Sequence, residues 1–225
     1  FVGRDRVAAG RALLVAYPEC DVIVSDDGLQ HYRLKRDAEI AVFDARGAGN
    51  GRLLPSGPLR EPLGRLRTVD ALVWNGAPEG DAARTAVLRR IPEAADRSFD
   101  MALGGQRFVA LRDAARSCSA DDLRGKRLCA IAGIGDPQRF FGLLAALGLD
   151  CEKRPFPDHH AYVSADLECE NGTILLMTEK DAVKCAPLPT AEAWVLPVEA
   201  QVSSSAYGCS LLAMLLEKID GRASA

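Results

Sequence analysis

Short apolar runs without polar interruption recur along this chain: Val22–Val24, Ile40–Phe43, Ala71–Trp74, Leu128–Ala132 and Ile174–Met177. Unbroken runs of this length fit strands covered on both faces, and such strands alternating with helices pair in parallel. An α/β fold is therefore expected. Helical periodicity is read at about Asp5–Tyr17, at Pro137–Leu147 and at Ala206–Ile219. In the second of these, Phe140, Leu143, Leu144 and Leu147 share a stripe, with Asp136 as N-cap and Pro137 at the first helical position. Further strands are expected near Phe108–Leu111 and Trp194–Val198. A change of character between Pro78 and Asp100 divides the chain into residues 1–97 and a smaller α/β lobe, 98–225. Extended strands near Phe108 and Trp194 are expected to join them.

Composition removes several function classes. With 48% hydrophobic and 26% charged residues the chain is globular in type. No run approaches the ~18–20 apolar residues that cross a bilayer. A formal charge of −3 speaks against a nucleic-acid partner held by overall charge. The seven cysteines form no C-x-x-C pair, so a reducing compartment and no zinc site are expected. Phe1 opens the sequence without a methionine, and a portion upstream of it is expected.

The first run ends in Ser25-Asp26-Asp27-Gly28-Leu29-Gln30-His31. Adjacent carboxylates repel unless a cation lies near them. At the carboxyl end of a buried strand, an aspartate commonly faces a metal held on phosphates. Asp-Gly is equally a turn pair, and Gln30 and His31 tilt the balance toward a site. Residues 47–62 carry glycines and prolines among arginines and read as a long functional loop. Arg52 and Arg60 are candidate phosphate forks, with solvated loop charge as the ordinary alternative. Glu61 is expected to orient Arg60 or to help with a metal. Arg65 and Arg67 extend the basic character toward anionic headgroups.

Gly133-Ile134-Gly135 lies between a strand and a helix, but the position of a third glycine is Gln138, so a nicotinamide site is not expected. Its amides remain suited to a nucleotide or sugar. Thr178-Glu179-Lys180-Asp181 reads both as a capping box and as a phosphate-side cluster, with Lys180 near phosphate and Glu179 or Asp181 positioning it.

Taken together, the 25–31 stretch, Asn50–Pro62, Ala132–Pro137 with Arg139-Phe140-Phe141, Phe156-Pro157-Asp158-His159 and Met177–Lys184 resemble the tetraacyldisaccharide 4'-kinase family of Gram-negative bacteria. The resemblance spans essentially the whole chain. It implies a P-loop-NTPase-like parallel-sheet lobe, N-terminally truncated, in residues 1–97, and an ATP-dependent lipid-sugar kinase of lipid A and lipopolysaccharide biosynthesis. The implied cofactors are ATP and Mg²⁺, and the implied acceptor is an acylated glucosamine disaccharide 1-phosphate. Asp26 and Asp27 take the magnesium position, Asp27 also counting as catalytic. Gln30, His31, Arg52, Arg60 and Glu61 bind substrate; Gly133, Gly135, Glu179 and Lys180 lie near phosphate or nucleotide. His159 pairs with an upstream aspartate that accepts the sugar hydroxyl proton, while His160 is left as a supporting or surface residue. Neighbouring Asp158 is expected to diverge from His159. The implied location is the cytoplasmic face of the inner membrane, peripheral, with the anchor outside this sequence. One departure stands out: no G-x-x-x-x-G-K-[ST] is present. The chain alone is therefore expected to be inactive, and a non-catalytic α/β module binding an acylated sugar or nucleotide is the alternative.

Overall fold

The structure, a computed structural model, describes residues 1–76, 80–190, 192–203 and 210–223. It forms two compact units: residues 1–102 with 202–225, and residues 103–201. This differs from a cut at residue 97, because the C-terminal helix groups with the first unit. Strands near Phe108 and Trp194 do not join the lobes; both belong to the sheet of the second unit. The chain instead crosses between units within β3 (Ser98–Gly104) and returns at β10 (Glu199–Val202).

In the first unit, β1 (Ile40–Asp44), β2 (Ala71–Asn75) and β3 are parallel neighbours, with β10 beyond β3. Side chains alternate across β2 as strand geometry requires. Leu72 and Trp74 pack with Leu66, Val87 and Ile91, where Val87 belongs to α2 (Ala82–Leu88). Ala71 and Val73 pack with Phe99 on the other face, against Leu211 and Met214 of α5 (Leu211–Ala223). Residues 206–209 of the expected closing helix lie outside the described residues.

Two expectations fail at the start of this unit. Val22–Val24 forms no strand, and Val24 is 90% exposed. An apolar run becomes a strand only where a neighbour completes its hydrogen-bond ladder, and composition does not reveal that neighbour. β1 likewise buries Ala41 but leaves Ile40 and Val42 exposed, so it is covered on one face rather than two. α1 (Arg6–Ala16) forms as expected, with Asp5 accepting from the Val7 and Ala8 amides, yet it has no buried residue.

The second unit carries a six-stranded sheet in the order β5 (Asp113–Ser119), β4 (Arg107–Ala110), β9 (Ala193–Leu196), β8 (Ile174–Thr178), β6 (Leu128–Ala132), β7 (Glu152–Pro155). β9, β8, β6 and β7 are parallel; β4 runs antiparallel to β9 and to β5. Leu128, Ala130, Ile174 and Leu176 face α3 (Pro137–Ala146) through Phe140, Phe141 and Leu144. Cys129, Ile131, Leu175 and Met177 face the opposite way, toward Tyr162, Leu167 and Cys185 of α4 (Glu179–Cys185). Both faces of these central strands are covered, as their unbroken apolar runs require. Asp136 stands at the N-cap of α3 but its side chain makes no capping bond.

Candidate functional site

In the first unit the site is built around the turn that follows residues 22–24. Asp27 is held at φ +48, a conformation few non-glycine residues adopt. A Cβ at Gly28 would come within 2.7 Å of Ser25 Oγ and 3.2 Å of Ser25 Cβ, so the chain folds back closely enough there that a side chain would displace Ser25. The His31 amide closes the turn onto the Gly28 carbonyl at 2.9 Å. Arg6 of α1 donates to Ser25 Oγ at 3.0 Å and to the Asp26 carbonyl. Asp26, Asp27 and Gln30 are exposed and His31 is half-buried. The turn and site readings of these residues are thus compatible: the backbone makes the turn, and the carboxylates stay in solvent.

A group of polar side chains, of which the sequence singled out only Glu61 and Arg65, fixes this turn. Arg36 donates 2.9 Å bonds to the Gly28 and Leu29 carbonyls and pairs with Glu39 at 3.0 Å. Glu39 also accepts from Arg65 Nη2 with both carboxylate oxygens, at 2.6 and 2.7 Å. Arg65 Nε donates to Tyr32 Oη at 3.2 Å, and that hydroxyl donates to Glu61 at 2.6 Å. Hydrogen bonding to Glu39 pushes the Arg65 guanidinium still higher than its ordinary value. Arg65 and Arg67 therefore do not form a free basic face: Arg65 is half-buried and engaged in this network, and Arg67 pairs with Glu93 at 2.8 Å. Glu61 partners Tyr32 and Arg65 rather than Arg60, and its Oε1 is buried with no hydrogen-bond partner among the described residues.

The loop ahead of Glu61 is shaped by Asn50, which donates to the Ser56 carbonyl at 2.8 Å and accepts from the Arg52 amide at 3.0 Å. A Cβ on Gly57 would lie 2.2 Å from Asn50 Oδ1. Backbone pairing of Leu53 with Leu59 brings the neighbours Arg52 and Arg60 to the same region of the loop. Both arginines are exposed, and neither has an ion pair among the described residues.

In the second unit, the chain leaves β6 through α3 to β7 on one side and returns to β8 on the other. This makes the gap between β6 and β8 a topological switch point, where open α/β sheets bind ligands. Gly133 and Gly135 follow β6 there, and Thr178–Asp181 follows β8. Asp181 is fully buried. Its Oδ2 accepts from the Gly133 amide at 3.2 Å and from Thr178 Oγ1 at 2.7 Å. Thr178 in return accepts the Asp181 amide at 3.2 Å, completing the expected cap. Asp181 Oδ1 and the buried Tyr162 hydroxyl have no well-formed hydrogen bond among the described residues, and both border Gly133. Burial, then the Asp181 charge, push the Tyr162 phenol far above its ordinary range. Asp181 faces Lys184, at 3.7 Å, rather than Lys180. Lys180 and Glu179 are exposed, and Glu179 Oε2 accepts the Val198 amide at 3.1 Å.

The loop after β7 carries His159, whose side chain is 91% exposed. Its backbone is left-handed, at φ +59. Asp158 does not diverge from it: the Asp158 carboxylate accepts the His159 amide at 3.0 Å and lies 3.7 Å from Nε2. Asp158 also borders Gly135, 3.5 Å from where a Cβ would stand.

Comparison with known proteins gives these geometries a family. The model of the family described as tetraacyldisaccharide-1-P 4'-kinase, LpxK, matches residues 1–217. The chain belongs to this family. It is 52% identical over 223 residues to a tetraacyldisaccharide 4'-kinase of Dechloromonas aromatica, covering 99% of the chain and 62% of that protein. Against the Azoarcus sp. enzyme of the same name it is 55% identical over 206 residues, 92% of the chain and 58% of the relative. The chain thus spans about three fifths of the length of the relatives it matches. Among solved structures it is similar to LpxK of Aquifex aeolicus in complex with ATP, with a TM-score of 0.67 and 28% identity, covering 94% of the chain and 62% of that structure. The family's α/β fold is therefore the fold of this chain. Among the described residues no helix is long and apolar enough to cross a membrane.

Proposed function

We propose that this chain is the greater part of a kinase that transfers the γ-phosphoryl group of ATP to the 4'-hydroxyl of a tetraacylated glucosamine disaccharide 1-phosphate. The family match over residues 1–217 carries the reading. Phosphoryl transfer depends mainly on positioning and charge neutralisation, and the groups described above suit both tasks. Among the described residues no cluster of three or more ligating side chains exists. Mg²⁺ needs no such cage, since one or two carboxylates with phosphate oxygens and water complete its octahedron. Asp26 and Asp27 fit that donor set and would hold it. When bound, the ion neutralises charge on the phosphates.

Arg52 and Arg60 are proposed to fork the 1-phosphate, for which exposed, unpaired guanidiniums are suited. Glu61, Gln30 and His31 are assigned to the same acceptor, with Glu61 acting through its hold on Tyr32 and Arg65. The amides of Gly133 and Gly135 and the Lys180 ammonium are assigned to phosphate or nucleotide, with Glu179 beside them. His159 is assigned to the base that removes the 4'-hydroxyl proton, as its orienting partner. Such a substrate lies at a membrane, so work at the inner leaflet is part of the proposal.

The test is transfer of labelled phosphate from ATP to the disaccharide. A full-length enzyme is expected to label the 4'-position. The 225-residue chain, which carries no G-x-x-x-x-G-K-[ST], is expected to give no product. Labelling by the 225-residue chain would refute its inactivity. A full-length protein that binds the disaccharide but transfers nothing would refute the kinase reading in favour of a binding module.

A further inference from the structure

We propose that His160 is a positioning residue: with Asp166 it locks the adjacent His159 in its left-handed turn and so presents the His159 ring. The proposal rests on the reading of His159 given above. His159 itself is held locally by its neighbour Asp158, which accepts its amide at 3.0 Å and lies 3.7 Å from Nε2, a contact that leaves the turn's backbone to be fixed from elsewhere. Its ring is in solvent, and its φ of +59 is a conformation that a non-glycine residue keeps only when its surroundings impose it. The turn is closed by the His160 amide, which donates to the Pro157 carbonyl at 3.1 Å.

The His160 side chain supplies the constraint. Nε2 lies 2.9 Å from Asp166 Oδ2, the same oxygen that accepts the Val163 amide at 2.9 Å. The ring stacks on Phe156 at 4.6 Å and 25°, and meets Tyr162 edge-on at 4.9 Å and 90°. Its Cβ stands 3.3 Å from where a Gly133 Cβ would be, so it also touches the turn after β6. One imidazole thus joins the loop after β7, the β6 turn and the segment around Asp166. Adjacent histidines divide the labour: the exposed one meets the reaction and the docked one sets its backbone.

The experiment is a double-mutant cycle in the full-length enzyme, with ATP and disaccharide varied separately. His159→Ala is expected to lower kcat by ~10²-fold, the lower range for acid–base groups. His160→Ala is expected to lower kcat by about tenfold or more with KM for ATP nearly unchanged, and the double variant should fall within about threefold of His159→Ala, because the residues act as a unit. His160→Gln, whose amide can reach Asp166, should recover most of the loss. A merely structural role would instead multiply the two losses, and that result, or wild-type kcat in His160→Ala, overturns the proposal. The backbone claim is read separately from the amide-to-α-proton coupling and NOEs of labelled His159. It should leave the left-handed region in His160→Ala and in Asp166→Asn; a His159 that stays left-handed in both refutes the lock. If His159→Ala alone keeps wild-type kcat, the catalytic reading of His159 fails, while the coupling still decides whether His160 sets the turn.

Discussion

At the scale of the residue, Gly133 shows how closely the second unit is fitted around its switch point. A methyl group there would meet the Tyr162 hydroxyl at 2.8 Å and Asp181 Oδ1 at 3.3 Å, both buried. Gly133→Ala is therefore expected to destabilise by about 1–3 kcal/mol, the usual cost of overpacking, read as a lower urea midpoint. An unchanged midpoint would mean that the ring of Tyr162 gives way freely. Asp166 carries a pH signature. Its bonds from the Val163 amide and the His160 ring hold its carboxyl below the usual carboxylate range. A carboxyl with a depressed folded pKa stabilises above its unfolded value of about 4 and loses that contribution as pH falls through the folded value. Wild type and Asp166→Asn should accordingly differ at pH 6 and converge on acidification below about pH 4, and a gap that persists unchanged to pH 2.5 would contradict this. In the full-length enzyme, Asp26→Asn or Asp27→Asn should each lower kcat by more than about tenfold, or ~1.4 kcal/mol of barrier; near-native rates in both would leave the pair only its turn role.

At the scale of the element, what the sequence could tell depended on whether an element finds its partners nearby. α3 was legible from its stripe: Phe140 and Leu144 are buried and Leu143 and Leu147 partly so, while Phe141, outside the stripe, is buried in the same apolar cluster. Leu144→Ala should cost about 2–5 kcal/mol by thermal or urea unfolding, as truncation in a closed core does, whereas a cost under 1 kcal/mol would show that the core collapses into the gap. β6, β8 and β9 were legible for the same reason, since two-face burial leaves an unbroken apolar run. Val22–Val24 had the same composition and gave no strand, for composition is local and pairing is not. β3, β5, β7 and β10 were missed: β5 and β10 are edge strands with mostly exposed side chains, and β7 carries Glu152, Lys153 and Arg154. Of the site, the motif residues were visible as quoted letters. The Arg36–Glu39–Arg65–Tyr32 network and the His160–Asp166 bond were not, because each side chain looks like ordinary surface charge until the fold brings its partners within 3.2 Å.

At the scale of the whole molecule, the two units differ in how completely their sheets are covered. In residues 103–201, side chains alternate into apolar clusters on both faces of β6, β8 and β9, and every one of these strands has a hydrogen-bonded neighbour on each side. Across residues 1–44, by contrast, α1 buries nothing and Val15, Val24 and Val42 are mostly exposed, while β1 is bonded along one edge only. Opening a segment costs free energy in proportion to the contacts it breaks, so exchange of backbone amides should rank the two regions. Hydrogen exchange of the native chain followed by mass spectrometry is expected to label residues 1–39 early and the amides of β6, β8 and β9 last. The difference is an expectation about local opening rather than about catalysis, and it holds whether or not the chain turns over. Slow exchange in residues 1–39 comparable to that of β6 would mean that these segments are covered in solution, for example by a second copy, and the same labelling repeated over a range of protein concentrations would reveal it.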